Sequence, residues 1–289
     1  MALYRQYVFC VFLQLSVLPT AAETLTIRHF PFEGEKEKYM EGLVELALSY
    51  SDLDVQFEVN SRANYTDLDR SQMVNAIEQG EISIMWSGTS KQLEKQLRPI
   101  RIPLYKGLLG MRLLLISPDQ QQKFDSVHSI DALKNIRLGQ GKGWPDVTIL
   151  ENAGFNVVLS PTYEALFGKL NAGEFDAFPR GLQEPWAEIK SNPDIPLTVE
   201  SNLLLAYKLP TYFFVSNQNT QLAHALENGL KKAIADKNFD DYFFYSDQVM
   251  DALKNANAVG RIILSIDNPY LPPDTPVDEK ALWLDIGDL

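Results

Sequence analysis

Apolar positions along the chain follow two spacings, the period of two typical of strands and the wider period typical of helices. Short apolar runs predict strands at LTIRHF (25–30), VQFEVN (55–60) and ISIMW (82–86). Helical spacing fills the intervals between these runs, at 37–50 and about 67–79. This alternation indicates an α/β protein with parallel sheets that helices cover on both faces.

The alternation restarts after a long apolar segment, GLLGMRLLLI (107–116), which we predict to be a strand. Helices are then expected near 129–135, 145–153, 162–172 and 183–191, with strands IRLGQG, NVVLS and DAF between them. A further strand, TYFFVSN (211–217), precedes a mostly helical final third with a helix over about 247–256 and a proline-rich tail. These units are too many for one small sheet, and no low-complexity linker separates two sequential domains.

One pattern occurs twice, as IEQGEISIMWSG (77–88) and LNAGEFDAFPRG (170–181). Each copy runs from a helix end through Gly-Glu into a short apolar strand and then a Gly-containing loop. Ligands of open parallel sheets bind beyond the carboxyl ends of the strands. If two such units face each other, the loops 86–89 and 179–181 oppose across a cleft. The alternative is coincidence, because Gly-Glu helix ends are common in α/β proteins.

The first 22 residues differ from the rest of the chain. They contain Arg5 as their only charge and an apolar run over 7–18, followed by small residues up to Ala22. This layout predicts a secretory signal peptide cleaved after Ala22, with an apolar run too short to span a bilayer comfortably. The segment also holds the only cysteine, Cys10, so the mature chain would form no disulfide. We therefore expect a soluble protein in a periplasm.

Acidic residues outnumber basic residues in the predicted mature chain. Without the first 22 residues, 25 Lys and Arg stand against 38 Asp and Glu, a net charge of −13. This charge argues against nucleic acid and anionic membranes as partners. The three histidines lie far apart without metal-ligand spacing, and no nucleophile elbow of the G-x-S-x-G kind is present. We accordingly predict no metal, no cofactor and no enzymatic activity.

Several segments occur in an order and spacing that resemble a known family. They are AIEQGEISIMWSGTSKQLEKQL, IPLYKGLLGMRLLLI, IDALKNIRLGQGKGW, LNAGEFDAFPRG and LPTYFFVSNQNTQLAHALENGLKKAIAD. Together they are similar to the type II class of periplasmic solute-binding proteins, in particular the amino-acid-binding family 3 group. The resemblance extends from Thr24 to about Lys254.

The resemblance implies a fold of two lobes, each a parallel-rich sheet flanked by helices. Two crossover strands, near 110–116 and 209–215, would join the lobes. Lobe 1 would be discontinuous and contain 23–112 and 212–289, and lobe 2 would contain 113–211.

The resemblance also implies that a small-molecule ligand is trapped in the cleft by hinge closure. The protein would act as a monomer and deliver the ligand to the permease of an ABC importer. One alternative is a sensor receptor that reads the closed form. Another is an exported enzyme derived from this fold, such as a dehydratase, in which Glu184 or Asp146 could serve as acid or base.

The chain departs from the family at both positions that hold an amino-acid ligand. Gln92 stands where amino-acid binders have the Arg that binds the ligand carboxylate. Gly181 stands where they have the acid that binds the amine. An ordinary α-amino acid is therefore not expected, and we predict a small polar or anionic solute.

Five side chains are candidates for the walls and anchors of the cleft. Arg180 could clamp a carboxylate through two hydrogen bonds, or it could be a surface residue paired with Glu184. Trp86 and Trp144 could stack on a flat ligand, although Trp86 also suits the core at the end of a sheet. Phe30 could form a wall or belong to the core. Arg112, on the predicted crossover strand, could line the pocket or form a buried ion pair.

Three further candidates have equally open alternatives. Lys142 lies in the segment GQGKG (139–143) before a predicted helix, where it could bind an anion together with backbone N–H groups. The alternative for this segment is a flexible turn with a solvated lysine. Ser87 and Thr89 could donate hydrogen bonds to a ligand or cap the next helix.

Overall fold

The computed structural model describes residues 24–31, 34–63, 65, 68–285 and 287. The predicted signal peptide, residues 1–22, lies outside these residues. Within the described part of the chain, no helix combines the length and the apolar character needed to cross a bilayer.

Strands and helices alternate along the chain. The first part contains β1 (Thr24–His29), α1 (Glu35–Leu48), β2 (Asp54–Val59), α2 (Arg70–Glu78), β3 (Ile84–Gly88), α3 (Leu93–Gln96), β4 (Arg98–Ile100), β5 (Met111–Ile116), α4 (Gln121–Phe124) and α5 (Ile130–Leu133). The middle contains β6 (Arg137–Gly141), α6 (Pro145–Asn152), β7 (Asn156–Ser160), α7 (Tyr163–Asn171), β8 (Phe178–Gly181), α8 (Pro185–Ser191), β9 (Thr198–Val199) and β10 (Leu203–Ala206). The last part contains β11 (Thr211–Val215), α9 (Thr220–Ala235), α10 (Asn238–Tyr245), α11 (Asp247–Ala256) and β12 (Ile262–Ser265).

The repeated sequence pattern forms the same local structure twice. Helix α2 ends before Gly80, which has φ 72°. The Gly80 N–H donates to Ile77 O at 3.2 Å. Helix α7 ends before Gly173, which has φ 71°. The Gly173 N–H donates to Leu170 O at 3.0 Å. Glycine suits these left-handed positions because a Cβ atom would be strained there. Each helix is followed by a short strand, β3 in one copy and β8 in the other.

The sheets are mixed because the long central strands run against their neighbours. Strand β5 is antiparallel to β8, β9 and β10, and strand β11 is antiparallel to β3 and β4. Parallel pairs join β1 to β2, β6 to β7 and β10 to β12. The predicted α/β class is confirmed, and the antiparallel pairs are a feature that apolar periodicity did not indicate.

The largest hydrophobic core joins α1, α9, α10 and α11 to the sheet of β3, β11 and β4. A second core forms around β5, β6 and β10, with α5 and α6 packed on it. Helices α1 and α9 approach so closely that a Cβ atom on Gly229 would lie 1.8 Å from Ala47 O. The sequence therefore needs glycine at this contact.

Two strand predictions need correction. The predicted strand 107–116 begins only at Met111, because Lys106 and Gly107 have positive φ and a 3-10 turn covers 108–110. Strands β4, β9, β10 and β12 were not predicted. Strand β12 lies in the range assigned to lobe 1, yet it pairs with β10, which lies in the range assigned to lobe 2. The lobe boundaries themselves stay a prediction.

The C-terminal segment 266–285, which we call the strap, lies across the connections that lead into β5 and β11. Asn268 Nδ2 donates to Lys208 O at 2.8 Å, and Leu284 N donates to Lys106 O at 2.8 Å. The ammonium group of Lys208 lies 4.4 Å from the centre of a Trp283 ring. The strap thus contacts the connection before β5 and the connection before β11.

Candidate functional site

A cavity of about 810 Å³ lies between the carboxyl ends of β3 and β8. Helix α1 and the end of β1 contribute to one wall. The opposite wall comes from the start of α6, from α7 and from the turn between β8 and α8. The floor includes Arg112 of β5. This is the position at which the two repeated loops were expected to oppose each other.

Six of the eight sequence-predicted binding residues line this cavity. They are Phe30, Trp86, Ser87, Arg112, Trp144 and Arg180. The repeated pattern therefore places its two tips, one with Trp86 and one with Arg180, around a single hollow. The same strand-end rule that predicted a cleft accounts for this convergence.

The structure places Thr89 outside the cavity. Its side chain is buried, and its hydroxyl donates to Glu94 Oε1 at 2.6 Å. It does not cap α3, where the Leu93 N–H is instead 3.1 Å from Ser90 Oγ. Thr89 is a structural residue of the loop after β3.

Lys142 also lies outside the cavity, with an exposed side chain. The backbone N–H of Lys142 donates to Ser160 O at 2.8 Å, so this N–H group is not available to an anion. The glycines before it serve close packing. A Cβ atom on Gly139 would lie 2.3 Å from the Phe175 ring, and one on Gly141 would lie 2.4 Å from the Trp144 ring.

Arg180 is held by two carboxylates rather than exposed on the surface. Its Nε donates to the two Glu188 oxygens at 2.8 and 2.9 Å. Its Nη2 lies 3.0 Å from Glu184 Oε1 and 2.6 Å from Glu188 Oε1. Burial lowers the pKa of Arg180, but Glu184 and Glu188 outweigh it and raise the pKa above its ordinary value. The predicted pairing with Glu184 is therefore present, in a buried setting.

Three aromatic rings complete the surroundings of Arg180. Its guanidinium carbon lies 4.6 Å from the ring centre of Phe178, 5.2 Å from Trp144 and 5.6 Å from Tyr163. Cations are attracted to the faces of such rings. The predicted stacking residue Trp144 thus already faces an internal cation, while it also lines the cavity.

Arg112 fulfils both predicted descriptions, since it lines the cavity and forms a buried ion pair. Its Nη2 donates to Asp146 Oδ1, and its Nε donates to the Tyr207 oxygen at 2.9 Å. The Tyr207 hydroxyl in turn donates to Asp146. Burial opposes the charge of Arg112, but Asp146, Tyr207 and Glu184 together raise its pKa.

The buried charges form one connected cluster with an excess negative charge. Arg112 lies between Asp146 and Glu184, and Arg180 lies between Glu184 and Glu188. Burial alone would raise the pKa of Glu184, yet Arg180, Lys36, Arg112 and the Gly181 N–H outweigh it and lower the pKa. Glu184 is therefore ionised at neutral pH, and the cluster holds three acidic groups against two guanidinium groups.

Several residues of the lining were not found from the sequence. Tyr163 lines the cavity, and its hydroxyl donates to Glu188 at 2.8 Å. Gln183 also lines it and follows the second loop by two residues, so extending that loop would have found it. Glu37 of α1 contributes a carboxylate, but helical spacing offered no signal for it.

Arg70 adjoins the cavity without lining it. Its Nη1 donates to Gly88 O at 3.4 Å, at the end of β3. Burial, the larger effect, lowers the pKa of Arg70, and the charge of Asp146 partly offsets this. Among the residues that the structure describes, no group of three or more His, Cys, Asp or Glu could hold a metal ion.

Comparison with known proteins shows the fold. Neither a protein-family model nor a curated protein sequence matches the chain. Among solved structures, an ancestral arginine-binding protein bound to arginine is 17% identical with a TM-score of 0.54, covering 78% of this chain and 98% of its own. An arginine-specific periplasmic binding protein of Salmonella typhimurium is 14% identical with a TM-score of 0.52, covering 76% and 97%.

A third similar structure has a link to catalysis. It is an ancestral amino-acid-binding protein described as a precursor of cyclohexadienyl dehydratase, 13% identical with a TM-score of 0.51, covering 77% of this chain and 94% of its own. These proteins have the two-lobe fold that the sequence resemblance predicted. The chain therefore has the type II periplasmic-binding-protein fold found in the amino-acid-binding proteins of ABC transporters.

Proposed function

We propose that the protein reversibly binds a small polar solute in the cavity between its two lobes. The observation that supports this is the convergence of the two repeated units on one cavity of about 810 Å³. Trp86 and Arg180, which were expected in loops, lie in the last residues of β3 and β8 and line this cavity. A volume of this size suits a small molecule. In this proposal 23–112 and 212–289, apart from β12, form one lobe, and β5 and β11 are the crossover strands. Residues 113–211 form the other lobe, together with β12, which pairs with β10.

The solute differs from the ligands of the similar structures in how it is held. Gln92 and Gly181, at the positions of the usual amino-acid clamps, do not line the cavity. The predicted anionic solute would meet Arg180, whose guanidinium is already paired with two carboxylates. A polar solute that does not depend on a free guanidinium agrees better with this arrangement.

The proposed partner of the loaded protein is the permease of an ABC importer, and the proposed location is the periplasm. Four of the similar structures support this, since one is named as a periplasmic binding protein and three as substrate-binding proteins of amino-acid ABC transporters. A sensor receptor that reads the closed form stays the alternative partner.

A thermal-unfolding screen tests the proposal. A solute that binds only the folded protein stabilises it by about 2.7 kcal/mol at a concentration 100 times its dissociation constant. We expect at least one class among amines, amino acids, organic acids and sugars to raise the melting temperature. The substitution Trp86→Ala should reduce this shift, because it removes a wall of the cavity.

The matched control is Tyr245→Ala, which removes an aromatic side chain that is 74% exposed and does not line the cavity. It should leave the solute-induced shift unchanged. A shift of equal size in wild type and Trp86→Ala would place the binding site elsewhere.

A further inference from the structure

We propose that the solute is a small organic cation without a carboxylate group, such as an amine or a quaternary ammonium compound, and that Glu37 is its charge partner. This inference rests on the proposed function and specifies the ligand class for the same cavity.

Acidic groups outnumber basic groups around the cavity. The acidic lining residues are Glu37, Asp146, Glu164, Glu184 and Glu188, and the basic lining residues, apart from His29, are Lys36, Arg112 and Arg180. A cavity surrounded by protein strengthens such charges, because the local dielectric constant is well below that of water. The excess of acidic groups attracts a cation and repels an anion.

A ligand carboxylate would find no available guanidinium group in this lining. Arg112 is engaged by Asp146 and Tyr207, with Glu184 nearby at 3.7 Å, and Arg180 is engaged by Glu184 and Glu188. A carboxylate would have to displace one of these buried partners and leave it without compensation, which is costly. The other basic side chain of the lining, apart from His29, is Lys36, which is exposed and already favours the ionised form of Glu184.

Glu37 is a half-buried carboxylate of the lining that is free to receive a cation. It lies in the first turn of α1, and among the described residues its side chain has no hydrogen bond or ion pair. The other unpaired lining carboxylate, Glu164, is exposed to solvent. Burial and the charges of nearby groups, Glu37 among them, raise the pKa of Tyr105 on the neighbouring cavity wall. A carboxylate in this position is stabilised by a positively charged group beside it.

Gln183 offers a second, independent feature that requires a ligand donor. Its side chain is 4% exposed and lines the cavity, and its Oε1 has no hydrogen-bond partner among the described residues. A buried acceptor without a donor is destabilising, because it has lost its hydrogen bond to water and gained none in return. The N–H of an amine would satisfy this oxygen, whereas a carboxylate would not.

The aromatic walls suit the apolar part of such a cation. Phe30 and Tyr65 stack with ring centres 5.3 Å apart, and both line the cavity together with Trp86. Aromatic faces attract ammonium groups, and the attraction is stronger where water is excluded. The protein already uses this arrangement internally for Arg180.

Titration calorimetry on the full chain with matched pairs of compounds tests the ligand class. Agmatine against arginine and tyramine against tyrosine differ only in the carboxylate, and choline adds a quaternary ammonium. We expect at least one of the three cations to bind, and the amine to bind about tenfold or more tightly than its parent amino acid. Tighter binding of the amino acids, or binding of none of the cations, would overturn the inference.

Glu37→Gln tests the charge partner. This change keeps the side-chain shape and breaks no existing contact among the described residues, so the variant should fold like the wild type. It should weaken cation binding about tenfold. The control Glu45→Gln alters an exposed carboxylate of the same helix that does not line the cavity, and it should have no effect on affinity.

The outcomes separate this inference from the proposed function. If an acid or a sugar binds and depends on Trp86, solute capture stands and the cationic class is wrong. If no compound of the wider screen shifts the melting temperature, both the proposed solute binding and the cationic ligand class are wrong. Equal cation affinity in Glu37→Gln and wild type removes Glu37 from the site.

Discussion

At the scale of single residues, Arg180 shows how a charge is kept inside the protein. A buried guanidinium is stable only when acceptors and charges surround it. Arg180 has both Glu184 and Glu188 as partners, and three aromatic rings cover it. Its role in the fold can therefore be measured separately from any contact with a solute.

We expect Arg180→Ala to lower the free energy of unfolding by about 3–5 kcal/mol, because it leaves two buried carboxylates without their partner. Urea denaturation measures this change. Arg180→Lys keeps the positive charge but loses the forked geometry, so it should cost less. Wild-type stability in Arg180→Ala would show that the carboxylates are compensated by other groups.

The residue scale also shows where sequence reasoning succeeded and where it stopped. The rule that ligands bind beyond strand ends selected Trp86 and Arg180, and both line the cavity. The partners of Arg112 could not be found in this way, because Asp146 is 34 positions away and Tyr207 is 95 positions away. Spacing in the sequence contains no information about such pairs.

At the scale of elements, helices are specified by local signals that can be recognised directly in the sequence. Helix α2 begins with a capping box, in which Asp69 accepts from Gln72 N at 2.9 Å and Gln72 accepts from Asp69 N at 2.8 Å. Helix α11 was predicted over about 247–256 and is found at Asp247–Ala256. Short strands such as β9 and β12 lack comparable signals, and their pairing with a neighbour defines them.

The contact between α1 and α9 leads to a prediction at this scale. Alanine is a better helix former than glycine by about 1 kcal/mol, but in Gly229→Ala the new methyl group would meet Ala47 O at 1.8 Å. We expect a loss of about 1–3 kcal/mol in the free energy of unfolding as the helices move apart. Thermal or urea denaturation measures it.

Gly168→Ala is the matched control for this prediction. Gly168 lies inside α7, and a Cβ atom there would have no neighbour within 4 Å. This variant should be as stable as the wild type or more stable by about 1 kcal/mol. Equal effects at both positions would mean that the helix contact does not require glycine.

At the scale of the whole molecule, the strap ties together regions far apart in the sequence. Trp283 packs on Gly107, where a Cβ atom would lie 2.7 Å from its ring, and its Nε1 donates to Pro276 O at 2.8 Å. Both contacts lie beside the connection into β5. A two-lobe protein that closes by a hinge must bend at such connections.

We expect Trp283→Ala to speed amide hydrogen exchange in residues 106–110, because the ring no longer covers this connection. Mass spectrometry of exchanged peptides measures the rate. Residues 84–88 of β3 are the internal control, since their amides lie in the pairing with β11. Unchanged exchange at 106–110 would show that the strap does not restrain the connection.

The sequence by itself determined most of the helices and strands in their order, the repeated helix–glycine–strand unit and the resemblance to a two-lobe fold. These features depend on interactions between residues close along the chain, such as caps, apolar periodicity and turn glycines. Only the tertiary structure decided the antiparallel pairing of β5 and β11, the partners of Arg112, the second carboxylate of Arg180 at Glu188, and the exclusion of Thr89 and Lys142 from the cavity. Those outcomes depend on contacts between distant segments, and their energies exist only after the chain has folded.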